Sequence, residues 1–301
     1  VDADTLIERD ALRKLVHGYI HRGSKVIALG GIVRLANDCV MESGQVVEPR
    51  LPRNLTAAFQ AMEYIRAFLC GRAGWNSLNS LLIISGAFGL FDRKEVINAG
   101  GYDAGTVGED MELIVRLHRI MRENRRPYSV IFLPDPVCWT QAPESLRVLG
   151  RQRNRWQSGL IQTLIRHRAM IANPRYGPPG TLGMTYNLLF EALGPVVELS
   201  GYVVVAVSWL FGVVSGGFMV LFLMVAVMFG LLLSVGALVL EEFTVKKYSN
   251  TEDLLKLLFL ALLENFGYRQ INAWWRLKAI IDLLRGRVSW GEMERKAFAK
   301  Q

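Results

Sequence analysis

The clearest alternation of hydrophobic and polar positions along the chain lies in residues 109–122. Apolar side chains recur there at helical spacing, while Arg116 and Arg119 fall on the opposite side, so the pattern predicts an amphipathic helix. Its first turn carries the adjacent carboxylates of Glu109 and Asp110. Because acidic groups stabilise the positive end of a helix dipole, the pattern alone allows a capping role as well as a chemical one. The predicted buried stripe consists of Leu113, Ile114, Leu117, Ile120 and Met121.

Shorter hydrophobic runs on both sides of this helix predict alternating strands and helices. Residues 42–53 are polar and contain two prolines, which favours a loop. Alternating elements are typical of an α/β domain with a mostly parallel sheet, in which ligands bind at the strand ends. The predicted strands are 25–33, 80–84 and 129–133, and the predicted helices are 55–69 and a short one beginning near Asp92.

Two carboxylates one residue apart stand near the beginning of the chain, at Asp2 and Asp4. They precede a predicted helix, because Thr5 and Glu8 have the spacing of a capping box. Paired carboxylates can hold a divalent cation, which in turn neutralises a nucleotide diphosphate. The same pattern also occurs by chance at helix starts, so metal binding and a purely structural role both remain open at this point.

Two further stretches carry groups suited to a sugar nucleotide. The small residues of Ser85-Gly86 would let a ligand approach the backbone closely. Gln152, Arg155 and Trp156 have the i, i+3, i+4 spacing of one helix face. A guanidinium can clamp a diphosphate, and an indole can stack on a sugar ring. The alternative is a basic helix attracted to anionic lipid headgroups.

A run of 42 residues without any charged side chain follows from residue 199. This length supplies two membrane spans at roughly 20 residues each, which we predict at about 187–214 and 218–240. Glu191 and Glu198 lie on one face of the first span. Glu191 either sits in the headgroup region, or both acids face protein or a watery passage. Pro195 is expected to kink the helix between them.

The last part of the chain mixes apolar, aromatic and basic residues. Residues 254–285 are predicted to form an interfacial or re-entrant segment, because polar and aromatic groups of this density suit the membrane interface. By the positive-inside rule the basic tail is cytosolic. We therefore divide the chain into a catalytic domain, residues 1–180, and a membrane region, residues 181–301. The basic residues of the tail are Lys278, Arg285, Arg287, Arg295, Lys296 and Lys300.

Composition narrows the class of protein. The 301 residues carry a net charge of +8, which would suit nucleic acid, but the 51% hydrophobic fraction favours a membrane protein without a nucleic-acid partner. Cys39, Cys70 and Cys138 show no metal-ligand spacing, which predicts reduced thiols facing a cytosol-like compartment. The chain opens at Val1 without a methionine or a signal-peptide pattern, so we expect a fragment cut inside a domain.

The order of these motifs resembles the processive family 2 glycosyltransferases, the membrane-embedded synthases of cellulose, hyaluronan and poly-N-acetylglucosamine. The resemblance implies a GT-A-like α/β fold, here incomplete because the nucleotide-binding half is missing, followed by transmembrane helices. It also implies a nucleotide-sugar donor, usually UDP-linked, and Mg²⁺ or Mn²⁺. The motifs are Asp2-x-Asp4, Ser85-Gly86, Gly108-Glu109-Asp110 and Gln152-x-x-Arg155-Trp156.

The resemblance also implies a role for each motif. Asp2 and Asp4 would hold the metal, and Asp110 would be the general base on the acceptor hydroxyl. The family commonly has Thr before the Glu-Asp pair, and Gly108 stands there instead, so we expect the hydrogen bond of that Thr to be absent. Donor and acceptor would be bound by Glu109, Gln152, Arg155, Trp156, Ser85 and Gly86.

The expected reaction is transfer of a sugar, with inversion, to the end of a β-linked polysaccharide. The expected protein is a multi-pass protein of the inner or plasma membrane, with a cytoplasmic catalytic part. A non-processive enzyme that adds sugar to a lipid or other membrane acceptor is the alternative. A hydrolase also uses paired carboxylates near a sugar, but it needs neither a basic clamp nor membrane helices. A non-catalytic scaffold or channel is the remaining alternative.

Overall fold

The computed structural model describes residues 1–2, 5–23, 25–244 and 251–287. Its strands are β1 (Leu6–Ile7), β2 (Val26–Leu35), β3 (Val40–Glu42), β4 (Gln45–Glu48), β5 (Gly89–Phe91) and β6 (Ser129–Thr140). Four of them form one sheet in the order β1-β6-β2-β5, in which β2 and β6 are parallel and the other two pairings are antiparallel. The α/β class is confirmed, but the sheet is mixed rather than mostly parallel, because short antiparallel strands occupy both edges.

Helices cover both faces of the sheet and then continue into a separate helical region. The helix α2 runs without interruption through the π-helical segment Ile65–Gly71 into α3, so this helical stretch is longer than predicted. The helices are α1 (Ala11–Arg22), α2 (Leu55–Tyr64), α3 (Arg72–Ser77), α4 (Arg93–Asn98), α5 (Glu109–Glu123), α6 (Leu146–Arg166), α7 (Gly194–Leu210), α8 (Gly216–Thr244), α9 (Thr251–Leu263) and α10 (Tyr268–Leu284).

The segment 42–53, predicted to be a loop, contains most of a β-hairpin. Strands β3 and β4 are joined by Ser43 and Gly44, whose φ angles are 51° and 72°. A two-residue turn with positive φ at both positions matches the twist of an antiparallel pair and is the favoured hairpin connection. The two prolines that suggested a loop lie after the second strand.

Two other elements differ from the prediction, because short strands pair with the outer edges of β6 and β2. The first helix begins at Ala11, not at the predicted capping box, since β1 pairs with Cys138 and Trp139 of β6. Residues 80–84 form no strand, although they are largely buried. The strand on that side is β5, which pairs with Ala28, Leu29 and Gly30 of β2.

The predicted stripe on α5 is part of the hydrophobic core. Leu113, Ile114 and Leu117 are fully buried against β2 and β6, while the predicted polar side carries the Arg119–Glu123 ion pair. On the other face of the sheet, α1 and α2 pack against β2, and residues from α8 and α9 join the same cluster. The helical region is therefore attached directly to the sheet domain.

Two helices are long and apolar enough to cross a membrane: Pro179–Leu210 and Gly216–Phe243. They overlap the predicted spans, and the chain turns between them, just before the predicted break. Only 11% of the most hydropathic part of each is buried, which leaves long apolar surfaces uncovered. The segment 254–285 is divided between α9 and α10, and α10 packs against α6 and α7. Tail residues Arg295, Lys296 and Lys300 lie outside the described residues.

Glu191 and Glu198 both face protein, as one of the two alternatives predicted. The Glu191 carboxylate lies 2.8 Å from Arg276, and the Glu198 carboxylate lies 2.8 Å from Arg269, with both arginines on α10. The disruption predicted at Pro195 takes the form of a break in the helix two residues before it. The helix is interrupted at Leu193, and Pro195 lies in the first turn of α7.

Candidate functional site

Asp110 lies in the first turn of α5, where its side chain connects this helix to the turn at Gly86. One carboxylate oxygen accepts a hydrogen bond from the backbone N–H of Gly86 at 3.3 Å, and the other accepts from Met111 at 2.8 Å. Burial raises the pKa of Asp110, although these hydrogen bonds and the charges of Arg72 and Arg155 act in the opposite direction. A fixed, desolvated carboxylate of this kind is suited to accept a proton.

Three carboxylates converge on the same corner. Burial raises the pKa of Glu109, and the negative charges of Asp110 and Asp2 raise it further. The positive charge of Arg155 lowers it. The structure therefore brings four of the predicted site residues within electrostatic reach of one another, from the chain start, α5 and α6.

Tyr102 also lies beside this acidic corner, and sequence reasoning missed it. Its pKa is raised by burial first, and then by the charges of Asp110, Glu109 and Asp2. The side chain remains about half exposed, so its hydroxyl is accessible to a ligand. The only signal in the sequence is its position after Gly100 and Gly101, whose positive φ angles turn the chain towards the site.

Three of the predicted site residues, Gln152, Arg155 and Trp156, lie on α6. Gln152 is buried, and its amide oxygen has no hydrogen-bond partner in the described part of the chain. Trp156 is 37% exposed, and the guanidinium of Arg153 lies 4.7 Å from its ring centre. Arg153 is itself held by an ion pair with Glu63. Trp156 thus offers an exposed indole surface, which is a group that binds sugars, whereas the amide oxygen of Gln152 is enclosed by the protein.

Contact between two glycines sets how closely α5 and α6 approach. A Cβ atom added at Gly108 would lie 2.8 Å from the Cα of Gly159, which is closer than real Cβ atoms come to backbone. As expected without the Thr, no side-chain hydrogen bond caps α5 at Gly108, and the Gly108 N–H donates to the hydroxyl oxygen of Thr106 at 3.2 Å. The Thr106 hydroxyl in turn donates to Gln162 of α6 at 3.0 Å.

Ser85 and Gly86 lie on the Asp110 side of the site. Their turn is closed by a hydrogen bond from the Phe88 N–H to the Ser85 carbonyl at 3.0 Å. Gly86 is exposed, and a Cβ atom there would meet the Asp110 carboxylate at 3.9 Å. A larger side chain at residue 86 would extend over Asp110, so the small residue keeps the carboxylate open.

The predicted metal pair is only partly described. Asp4 lies outside the described residues, and within the described ranges no three His, Cys, Asp or Glu side chains group together as a metal site. Burial is the first cause of the raised pKa of Glu109, and the negative charges of Asp110 and Asp2 raise it further. A divalent cation on oxygen ligands would offset this excess negative charge, so the residues present fit such an ion.

Arg72 is a second candidate that the sequence did not reveal. It is 4% exposed, no described residue forms a hydrogen bond or ion pair with it, and its guanidinium lies over Phe68 at 4.2 Å. Burial lowers the pKa of Arg72 to about 10, and the charge of Asp110 acts against this shift. Arg72 therefore stays positive at neutral pH, beside the proposed base.

The chain is similar in sequence to known glycosyltransferases. Poly-beta-1,6-N-acetyl-D-glucosamine synthase of Staphylococcus aureus strain COL is 27% identical over 166 residues, which cover 55% of this chain and 35% of the relative. The corresponding synthase of Staphylococcus epidermidis is 25% identical over the same coverage. The chain thus spans about a third of the length of these relatives.

A solved structure also resembles the chain, namely the mannosyltransferase PcManGT from Pyrobaculum calidifontis in complex with GDP-Man and Mn²⁺. It covers 89% of this chain and 63% of its own, at 16% identity and a TM-score of 0.42, which is too low to support an argument about the site. The sequence model of the glycosyltransferase like family 2 matches residues 1–159, more than half of the chain. With the GT-A-like α/β fold that the motifs implied, the chain belongs to glycosyltransferase family 2.

Proposed function

We propose that the complete protein is a membrane-embedded glycosyltransferase that extends a β-linked polysaccharide. It takes the sugar from a nucleotide-sugar donor, with UDP as the expected nucleotide, and transfers it with inversion. The observation that carries this proposal is the desolvated carboxylate of Asp110, which two backbone N–H groups hold in place and on which the positive charge of Arg155 acts. The names of the relatives favour N-acetylglucosamine as the sugar.

In the proposed reaction, Asp110 accepts the proton of the acceptor hydroxyl as that oxygen bonds to the anomeric carbon. The bond from this carbon to the donor diphosphate breaks, and the electron pair leaves with the diphosphate. Arg155 is placed to bind the departing negative charge. A divalent cation, Mg²⁺ or Mn²⁺, held by Asp2 and Asp4, would supply Lewis-acid stabilisation of the same leaving group.

The acceptor end would lie against α6. Trp156 offers an exposed apolar surface for the terminal sugar, and the Gln152 amide oxygen, enclosed on the same helix, would accept a hydrogen bond from a sugar hydroxyl once it is uncovered. Glu109 and Ser85-Gly86 line the remaining sides. We place the catalytic domain in residues 1–180 and the membrane region in 181–301, with the catalytic part cytoplasmic and the two long apolar helices crossing the inner or plasma membrane.

The proposal is tested with the complete protein in native membranes and a panel of nucleotide-sugars. Nucleoside diphosphate release and product length are measured together, with and without a chelator that is then titrated with Mg²⁺ or Mn²⁺. We expect one UDP-sugar to give metal-dependent diphosphate release and a long polymer. A single sugar added to a lipid would establish the non-processive alternative. Absence of diphosphate release with every donor would refute the glycosyltransferase proposal.

A further inference from the structure

The helix is interrupted at Leu193, between the π-helical segment Asn187–Ala192 and α7. Some backbone carbonyls at this interruption lack the usual hydrogen bond from an N–H group of the same helix. Pro195 has no N–H for the carbonyl of Glu191, four residues earlier. The N–H of Val196, whose ordinary partner would be the Ala192 carbonyl, donates to the Leu193 carbonyl at 3.0 Å, and Val197 makes the ordinary helical bond to the same carbonyl at 3.1 Å. The carbonyls of Glu191 and Ala192 therefore need donors from outside the helix.

Two side chains from other helices supply these donors. The amide nitrogen of Gln157 in α6 donates to the carbonyls of Glu191 at 3.1 Å and Ala192 at 3.2 Å. Arg276 in α10 donates to the Glu191 carbonyl at 2.5 Å and to its carboxylate at 2.8 Å. Arg276 also donates to the amide oxygen of Gln157 at 2.8 Å. Gln157 is buried, and all of its hydrogen-bonding groups face this cluster.

This cluster, which we call the break clamp (Gln157, Arg276 and the two carbonyls), lies next to the proposed acceptor site. Gln157 directly follows Trp156 in α6, so the clamp fixes the helix at the position that carries the indole. Further along, α10 stays close to α6 through the Trp275 ring, which would lie 2.8 Å from a Cβ atom at Gly150. The membrane hairpin, formed by the two long apolar helices, is thereby linked at one point to α6, the helix that carries Trp156.

We propose that Gln157 is a positioning residue that holds Trp156 in register with the start of the membrane hairpin, and so keeps the growing polymer attached between transfer steps. This inference rests on the proposed function. Gln157 touches neither the diphosphate nor the reacting atoms, so its loss affects retention of the product more than the chemical step. Because the clamp contains no carboxylate of the acidic corner, donor binding does not depend on it.

The test compares Gln157→Leu and Arg276→Gln in the complete protein, in membranes. Leu is close in size to Gln but donates no hydrogen bond. Arg276→Gln weakens the same cluster without replacing a residue of α6. We expect product length to fall about two- to tenfold, the range for losing one or two net hydrogen bonds. The initial rate of diphosphate release is expected to stay within about twofold of the parent, since the base is unaltered.

Arg269→Gln is the matched control, because it removes the similar pair with Glu198, about two helical turns before Arg276 in α10, and leaves the clamp intact. It should leave product length unchanged. Equal shortening by Arg269→Gln, or parental length in Gln157→Leu, would overturn the inference. If the parent protein releases diphosphate but makes no polymer, the polysaccharide proposal fails instead, and the two failures are thus distinguishable.

A double variant distinguishes two roles of Gln157: positioning Trp156, and donating hydrogen bonds to the backbone carbonyls. Pro195→Ala restores an N–H four residues after Glu191, so it provides the carbonyl with a partner inside the helix. Combined with Gln157→Leu, it should restore thermal stability while the products remain short. Restoration of product length as well would show that Gln157 serves only the carbonyls, which contradicts the positioning role.

Discussion

Replacing Gly159 with Ala tests whether the contact of α5 with α6 assembles the site. A Cβ atom at residue 159 would lie 2.7 Å from the Cα atom of Gly108 and 2.8 Å from its nitrogen. Both neighbours are backbone atoms, so no side chain can rotate away. Ordinary carbon contacts are about 3.5–4.0 Å, and the two helices must therefore separate by about 1 Å.

That displacement has a cost in stability and a larger cost in catalysis. Overpacking of this kind destabilises a protein by about 1–3 kcal/mol. Asp110 lies two residues after Gly108, and Arg155 lies one helical turn before Gly159, so the same separation moves the base away from the diphosphate-binding group. A misplacement of about 1 Å lowers the rate about a hundredfold, because reacting groups lose their alignment.

The assay measures diphosphate release and the melting temperature of the complete protein in membranes or detergent. Gly74→Ala is the matched control, because Gly74 lies in α3 and a Cβ atom there meets no atom within 4 Å. The control should keep the parental rate and melt at the same temperature or slightly higher. A Gly159→Ala protein with turnover within about twofold of the parent would refute the reasoning.

Two other predictions concern pH. Arg72→Gln removes a buried cation beside Asp110, so the pKa of that carboxyl rises and the acidic limb of the pH–rate profile moves to higher pH. Arg72→Lys should largely retain the parental profile, and an unmoved limb in Arg72→Gln would contradict this reasoning. Burial lowers the pKa of His118 to about 4, and the unfolded chain therefore binds more protons between about pH 6.5 and 4. The free energy of unfolding should fall as pH drops through that window, by up to about 3 kcal/mol from this group, and His118→Gln should flatten the pH dependence of the melting temperature. Equal slopes in both proteins would argue against it.

The parts of the fold that depend on local periodicity could be predicted from the sequence. The stripe of α5 repeats at helical spacing, and the apolar run of β2 is buried at all ten positions, as expected for a strand covered on both faces. The convergence of Asp110 with Arg155 followed from the order of motifs. Their mutual distance, however, depends on two glycines whose contact joins segments far apart in the chain.

Features that depend on long-range packing could not be predicted. β5 is a strand only because β2 offers it a free edge, and its three residues carry no pattern of their own. Arg72 is one of many arginines in the sequence, and only its burial without a partner distinguishes it. The role of Gln157 likewise depends on a contact that the sequence does not show. Its amide donates to the carbonyls of Glu191 and Ala192, at the helix break created by Pro195.

Sugar transfer by Asp110→Asn in the complete protein tests the central claim most directly. Asparagine keeps the size of the side chain but cannot accept the proton, so diphosphate release should fall by about a hundred- to ten-thousandfold. The variant should remain folded, although its amide oxygen can accept only one of the two backbone hydrogen bonds. Asp135→Asn, which alters an exposed carboxylate paired with Lys14, is the control and should keep full activity. Transfer by Asp110→Asn at the parental rate would contradict the assignment of Asp110 as the base.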